Sequence, residues 1–256
     1  MPRFLNIVFG ALVVFFLVAP LLVILPLAFT SSVFLNYPIP SFSTRWFGEL
    51  AMSDTWRRSI LNSIIIGSGT TVLATVLGTL AALGLRRQPR FANTIRALFL
   101  LPMVVPAVVL GVGMQIFFVR LSLANTYAGV IIAHTVVALP FVLVSVSASL
   151  QGVDVRTERA AASLGASPSV VFRRVTLPLS SPGIFSGAVL AFATSLDEVV
   201  LTLFVAGPNQ RTLARQMFST IRENISPAIA AAAFVIIVGT LALIAVSAAV
   251  RKAVRG

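Results

Sequence analysis

Apolar residues along this chain come in long blocks, not in alternation. Six blocks exceed the roughly 20 residues that a helix needs to cross a bilayer core of about 30 Å. They are Leu5–Phe29, Ser59–Leu85, Ala97–Val119, Thr126–Leu150, Gly183–Ala206 and Pro227–Val250. Backbone groups in lipid must be bonded within their own segment, so each block is expected to be a helix. A barrel would show alternating stretches of about 10 residues, and Ile64-Ile65-Ile66 and Ala230-Ala231-Ala232-Ala233 do not alternate. The first block follows a basic start at Arg3, as a signal peptide does. It is longer than the roughly 7–15 apolar residues of a signal core, and no clear small-x-small site follows, so it is expected to stay as a first span. Pro20, Pro26, Pro102, Pro106 and Pro140 interrupt the blocks; neighbouring helices must re-satisfy the backbone groups they free. Gly67, Gly69, Gly78, Gly111 and Gly113 allow close helix approach. They serve either packing or a kinked pathway that opens and closes.

The polar segments between blocks set the topology. With the N-terminus inside, twelve of the 19 Lys and Arg fall on the inner side, which places both termini in the cytoplasm. Two outer loops, Thr30–Arg58 and Gly207–Ser226, are long enough to hold structure. The first carries Tyr37-Pro38-Ile39-Pro40, kept partly extended by proline, and Trp46, which suits either a membrane interface or a ligand.

Composition sharpens this picture. The 256 residues are 58% hydrophobic and 10% charged, against about 45–50% and 25% for soluble domains. That excludes a soluble enzyme and also disorder, which needs low hydrophobicity and high charge. Cysteine is absent, which removes disulfides and thiolate metal sites. A net charge of +12 would suggest nucleic acid in a soluble protein. Here the basic residues flank apolar runs, so the expected partners are lipid headgroups and not nucleic acid.

Several chemistries are missing. A phosphate-binding loop of the Walker type needs a Gly-Lys pair, and the only lysine, Lys252, follows Arg251. No Gly-x-Ser-x-Gly occurs. The only histidine, His134, lies inside the fourth block and is expected to be a satisfied buried polar group. No cofactor, metal or catalytic residue is expected in this chain.

One inner segment, residues 151–182, is far less apolar than its flanks. Thr157 is expected to cap a short helix of small residues, with Gly165 ending it. Ser167-Pro168 starts a second short helix with proline at its first position, and Leu177-Pro178 is expected to stop it. Two short helices flanked by arginines would form a rigid knob. Ala160, Ala161, Gly165, Val175, Leu177 and Pro178 fall on the pattern Glu-Ala-Ala, three residues, Gly, nine residues, aliphatic, one residue, Leu-Pro. That segment resembles the EAA signature of ABC importer permeases. Arg159 stands where the pattern has Glu, with Glu158 one residue earlier.

The resemblance implies an all-α integral membrane protein with the ABC importer permease (MetI-like) fold. It would have six transmembrane helices, both termini cytoplasmic and one domain over residues 1–256. It implies that Glu158, Arg159, Ala160, Ala161, Gly165, Leu177 and Pro178 belong to a coupling loop that docks on an ATP-binding subunit. The implied partners are a dimer of such subunits holding ATP and Mg, a second permease subunit (a paralogue or this chain again) and a periplasmic substrate-binding protein. The location would be the bacterial inner membrane.

The fifth block holds the other candidate site. Of the seven acids, only Asp197 and Glu198 lie inside an apolar run. A centred acid costs about 2.5–3.5 kcal/mol on the insertion scale and usually faces a cavity or partner. Thr194, Ser195, Glu198 and Thr202 share one face at helical spacing. The pair attracts an amine or other cation, or pairs with an arginine such as Arg120. Ser195–Val200 with Phe204–Pro208 resembles spermidine/putrescine permeases, and Trp46, Asp197 and Glu198 match positions implicated there in substrate passage. An acid expected after Pro106 is absent, since Ala107 follows. An amino-acid-like or aminoalkyl substrate would need fewer carboxylates. A secondary transporter or cation channel could also use the pair, but it has no need of a docking knob.

Overall fold

The computed structural model describes residues 2–223 and 225–255. It is helical, and among the described residues the only extended pairing is an isolated bridge between Thr30 and Phe42. In chain order the α-helices are α1 (Pro2–Leu27), α2 (Arg45–Met52), α3 (Asp54–Arg86), α4 (Ala92–Leu100), α5 (Ala107–Arg120) and α6 (Tyr127–Gln151). They continue as α7 (Val155–Ser163), α8 (Pro168–Val171), α9 (Leu177–Asp197), α10 (Val200–Val205), α11 (Leu213–Glu223) and α12 (Ala228–Arg255). Five segments are long and apolar enough to cross a membrane: Phe4–Leu27, Asp54–Arg86, Tyr127–Gln151, Pro168–Asp197 and Ala228–Ala245. A sixth exists if Ala92–Met103 and Ala107–Arg120, bent by 98°, count as one. Pro106 sits in that bend as the N-cap of α5. Proline has no N–H to continue the ladder and disfavours helix before it. The third apolar block is therefore two helices meeting at a sharp bend and not the one continuous helix expected.

The chain divides into two compact units, residues 1–58 with 216–240, and residues 59–215 with 241–256. In the first, α1 is apolar on every side. Beyond it, Phe29 stacks on Phe42 at 4.9 Å and meets the edge of Phe234 at 5.2 Å, with Phe47 at 5.1 Å. Such ring pairs add to area burial through their quadrupoles. The first outer loop is ordered by Tyr37 Oη donating to Val23 O (2.7 Å) and by Arg45 donating to Ser31 O (3.1 Å). Trp46 is buried in α2, its ring 4.6 Å from the Arg45 guanidinium carbon, and its Nε1 has no partner among the described residues.

The second unit is built around α6. One apolar cluster joins Ala74, Ala82 and Leu85 of α3 to Val142, Val146 and Leu150 of α6 and Ala191 of α9. Another joins Ile66, Phe118, Val130, Ala133, Leu201 and Val205 at the other end of the bundle. Apolar burial drives little association within lipid, so close backbone approach carries more weight. A Cβ at Gly183 would overlap Ser149 and come within 2.8 Å of Ser145 O. One at Gly78 would meet Val142 at 2.7 Å. Gly67, Gly69 and Gly111 are equally crowded, by Phe192, Ile131 and Phe204, whereas Gly113 faces open space.

Candidate functional site

The fifth apolar run is not one helix. α9 ends at Asp197, Glu198 is extended (φ −77, ψ 105), and α10 restarts at Val200. The expected stripe across Thr194, Ser195, Glu198 and Thr202 is thus cut at the acidic pair, because the helical phase does not run through Glu198. The break is held by side chains. Glu198 Oε1 accepts from Leu201 N at 2.8 Å, which satisfies an N–H in the first turn of α10. Thr202 Oγ1 donates to Glu198 O at 2.9 Å. Asp197 is exposed. Among the described residues the ion pairs are Arg57–Asp54 and Arg86–Glu158, so Arg120 neutralises neither carboxylate. Thr194 is half-buried on the last turns of α9 and takes no part in these bonds.

His134 spans the break from α6. It is fully buried, with Nδ1 at 2.8 Å from Ser195 Oγ on α9 and Nε2 at 3.0 Å from Thr202 Oγ1 on α10. The Thr202 hydroxyl spends its one proton on Glu198 O, so it accepts from His134, and Nε2 carries the hydrogen. With no carboxylate at either nitrogen, the buried ring is uncharged and Nδ1 accepts from Ser195. The chain Ser195→His134→Thr202→Glu198 O is fully satisfied. His134 is the buried polar group its sequence position suggested, but its role as a tie between two helix halves has no signal in the sequence.

The other end of α10 is held by Arg215 of α11. Its guanidinium donates to Ala206 O at 2.7 Å and Thr202 O at 3.1 Å. A cation there satisfies the Ala206 carbonyl and complements the helix dipole. Burial and the nearby charge of Arg211 lower the Arg215 pKa from its ordinary value. Asn62 donates to Asn209 O and Arg211 O, both at 2.9 Å, and accepts from Tyr127 Oη at 2.7 Å. These bonds fix the segment after α10 onto α3 and α6. Trp46 belongs to the other compact unit.

The segment 151–182 forms two short helices as expected, with two corrections. The cap of α7 is Asp154, which accepts from Arg156 N at 2.8 Å, and not Thr157. Asp is among the strongest capping residues. Gly165 ends α7 at φ +86, with Gly165 N bonded to Ala162 O and Ala166 N to Ala161 O; this is a Schellman close. Ser167 and Pro168 open α8 as expected. Leu177-Pro178 does not stop the second helix. Residues 172–176 form a π turn in which Leu177 N reaches back to Phe172 O, and α9 continues from Leu177. The wider turn accommodates a proline that lacks its N–H and crowds the carbonyl four residues back.

Glu158 is turned inward. Its Oε1 accepts from Arg86 Nη1 at 2.7 Å and from Thr176 Oγ1 at 2.6 Å, while Arg86 also donates to Val153 O at 2.9 Å. Burial alone would raise its carboxyl, but the bonds from Thr176 and Arg86 and the guanidinium charge outweigh it and hold the pKa below 4.5. Glu158 therefore ties α7 to α3 and to the start of α9, while Arg159, Ala160 and Gly165 are exposed and Ala161 is half-buried. An open groove of about 770 Å³, lined by Arg86, Glu158, Arg159 and Phe172 among others, lies beneath this knob.

An all-helical bundle of membrane-crossing segments, one broken at an acidic pair and one polar knob between spans, defines a transport protein of the permease class. The chain belongs to the family described as "Binding-protein-dependent transport system inner membrane component", whose profile matches residues 74–256. It is a multi-pass membrane protein with the ABC importer permease fold. It is 36% identical over 240 residues to the putrescine transport system permease protein PotI of Escherichia coli K12, covering 90% of this chain and 85% of that one. Against the spermidine/putrescine transport system permease protein PotC of the same strain, identity is 30% over 91% of this chain and 88% of that one. A molybdenum transport system permease protein, ModB of Mycobacterium bovis, is 35% identical over 86% and 91%. The fold matches a bacterial ABC transporter importing alginate, with a TM-score of 0.76 at 14% identity over 98% of this chain and 95% of that one.

Proposed function

We propose that this chain is the inner-membrane permease subunit of an ABC importer for a small amine such as a polyamine, with both termini cytoplasmic. ATP hydrolysis in a separate pair of subunits drives it, and a second permease subunit and a periplasmic binding protein complete the importer. The observation that carries the substrate class is the helix break at Asp197–Glu198. It places an exposed, unpaired carboxylate in a membrane segment, where a charge is costly unless it meets a cavity or a cation. An anion of the kind a molybdenum permease handles would meet two carboxylates there. The segment at 151–182 and the break lie at opposite ends of one 30-residue helical run, Pro168–Asp197. A displacement of the knob by an ATPase subunit is therefore delivered to the acidic pair by a single rigid element, sliding on the glycine seam with α6.

The test is uptake of labelled putrescine, spermidine, 4-aminobutyrate and molybdate in a strain lacking this chain. The strain is complemented with the wild type or with Asp197→Asn/Glu198→Gln. Polyamine uptake restored by the wild type alone, and abolished by depleting ATP, supports the reading. Polyamine uptake unchanged by the deletion overturns the substrate, and uptake that follows membrane potential instead of ATP overturns the importer mechanism.

A further inference from the structure

The turn between α3 and α4 carries a cluster of arginines away from the acidic pair. Arg86, Arg87, Arg90 and Arg96 crowd this stretch. Arg86 is paired with Glu158; the other three have no carboxylate partner among the described residues. Gln88, at φ 47, turns the chain back at the end of α3. Arg90 and Arg96 thereby line one open basin of about 490 Å³. Arg96 also stands at the head of a separate groove of about 200 Å³ whose walls include Leu100, Leu143 and Val144. Val144 is 53% exposed, on a face of α6 turned away from the apolar cores. A cationic basin thus opens, at a shared arginine, onto an apolar furrow running along two membrane helices.

We propose that this is a binding site for an anionic phospholipid. Its phosphate sits on the Arg90 and Arg96 guanidiniums, whose planar forks suit phosphate oxygens. One acyl chain lies in the furrow past Leu100 and Val144. Basic pockets between membrane helices are where anionic headgroups bind. The furrow selects a lipid over a soluble anion, which would fill the basin and leave the furrow empty. The site lies beside the loop at 151–182, so the leaflet follows from the proposed topology, but the lipid chemistry does not depend on it.

The experiment is native mass spectrometry of the intact importer complex, delipidated in neutral detergent and titrated with phosphatidylglycerol or phosphatidylcholine. The wild type retains phosphatidylglycerol in preference to phosphatidylcholine. Arg90→Gln/Arg96→Gln lowers that preference about thirtyfold, the worth of two surface arginines, at unchanged melting temperature. Arg120→Gln, on α5, leaves it intact. Val144→Trp fills the furrow and lowers phosphatidylglycerol retention with both arginines present, and millimolar glycerol phosphate does not compete. Equal retention of the two lipids by the wild type overturns the site, as does a preference that survives the double arginine variant. Retention that survives Val144→Trp but is lost to glycerol phosphate shows a soluble-anion site and overturns the lipid assignment.

Discussion

Replacing His134 by Phe tests whether the broken span is held as the structure shows. Phe keeps the ring's bulk at a fully buried position, so little cavity forms and the cost is that of two bonds, 2.8 Å to Ser195 and 3.0 Å to Thr202. Hydrogen bonds between membrane helices are worth about 0.6 kcal/mol on average and about 1.7 at most. The pair together gives about 1–3 kcal/mol. Thr202 keeps its bond to Glu198 O, so most of the loss falls on Ser195, which is left buried with no other partner shown. Double-mutant cycles with Ser195→Ala and Thr202→Val isolate each bond. The readout is unfolding in mixed detergent and dodecyl sulfate micelles, followed by circular dichroism. The expected coupling is about 0.6–1.7 kcal/mol for each pair. Uptake falls more steeply than stability, because the loosened halves no longer present Glu198 in one orientation. Coupling below about 0.3 kcal/mol in both cycles would refute the tie, since two well-made bonds across a break cannot be energetically silent and also hold it.

Further predictions concern the acids, the seam and the knob. Asp197→Asn leaves stability within about 0.5 kcal/mol, because Asp197 is exposed and unpaired, yet lowers amine uptake. Glu198→Ala lowers stability by about 1 kcal/mol through the lost bond to Leu201 N, and the same unfolding assay separates the two. Gly183→Ala pushes α6 and α9 apart at a cost of about 1–3 kcal/mol, while Gly113→Ala, facing open space, stays within about 0.5. Glu158 is held below its ordinary 4.5 in the folded protein, so its contribution is complete above that value and is lost as pH falls through the lowered one. Protection of the amides of residues 155–163 against hydrogen exchange, taken relative to their intrinsic rates at each pH, accordingly falls in acid for the wild type, whereas Glu158→Gln is weakly protected at neutral pH and shows little further change.

The long spans and the small-residue knob were legible because length in lipid and turn chemistry are local properties. Gly165 had to be glycine-like in a left-handed close, and Pro168 could only open a helix. What sequence pattern missed are the non-local ties. Thr157 and Asp154 both offer a capping oxygen, and the choice depends on where α6 ends. Glu158 reads only as a residue of the coupling loop, and nothing local marks it as the partner of Arg86, which α3 brings to it from 72 positions away.

The break at Glu198 shows the limit most clearly. Apolar composition measures whether a segment can enter lipid; it does not measure whether its backbone is continuous. Val199 and Val200 continue the apolar run, and neither proline nor glycine marks the gap. Helix is interrupted there because other groups take over the bonding. The Glu198 carboxylate accepts from Leu201 N and the Thr202 hydroxyl donates to Glu198 O where a continuous helix would have bonded to itself, while His134 from α6 ties the Ser195 and Thr202 hydroxyls across the gap. Backbone left open at membrane depth is stable only when protein groups close it. The polar residues flanking the gap are therefore what holds the break open. An acidic pair in an apolar block, with a histidine in the preceding span and an arginine just beyond, is the pattern such a break leaves.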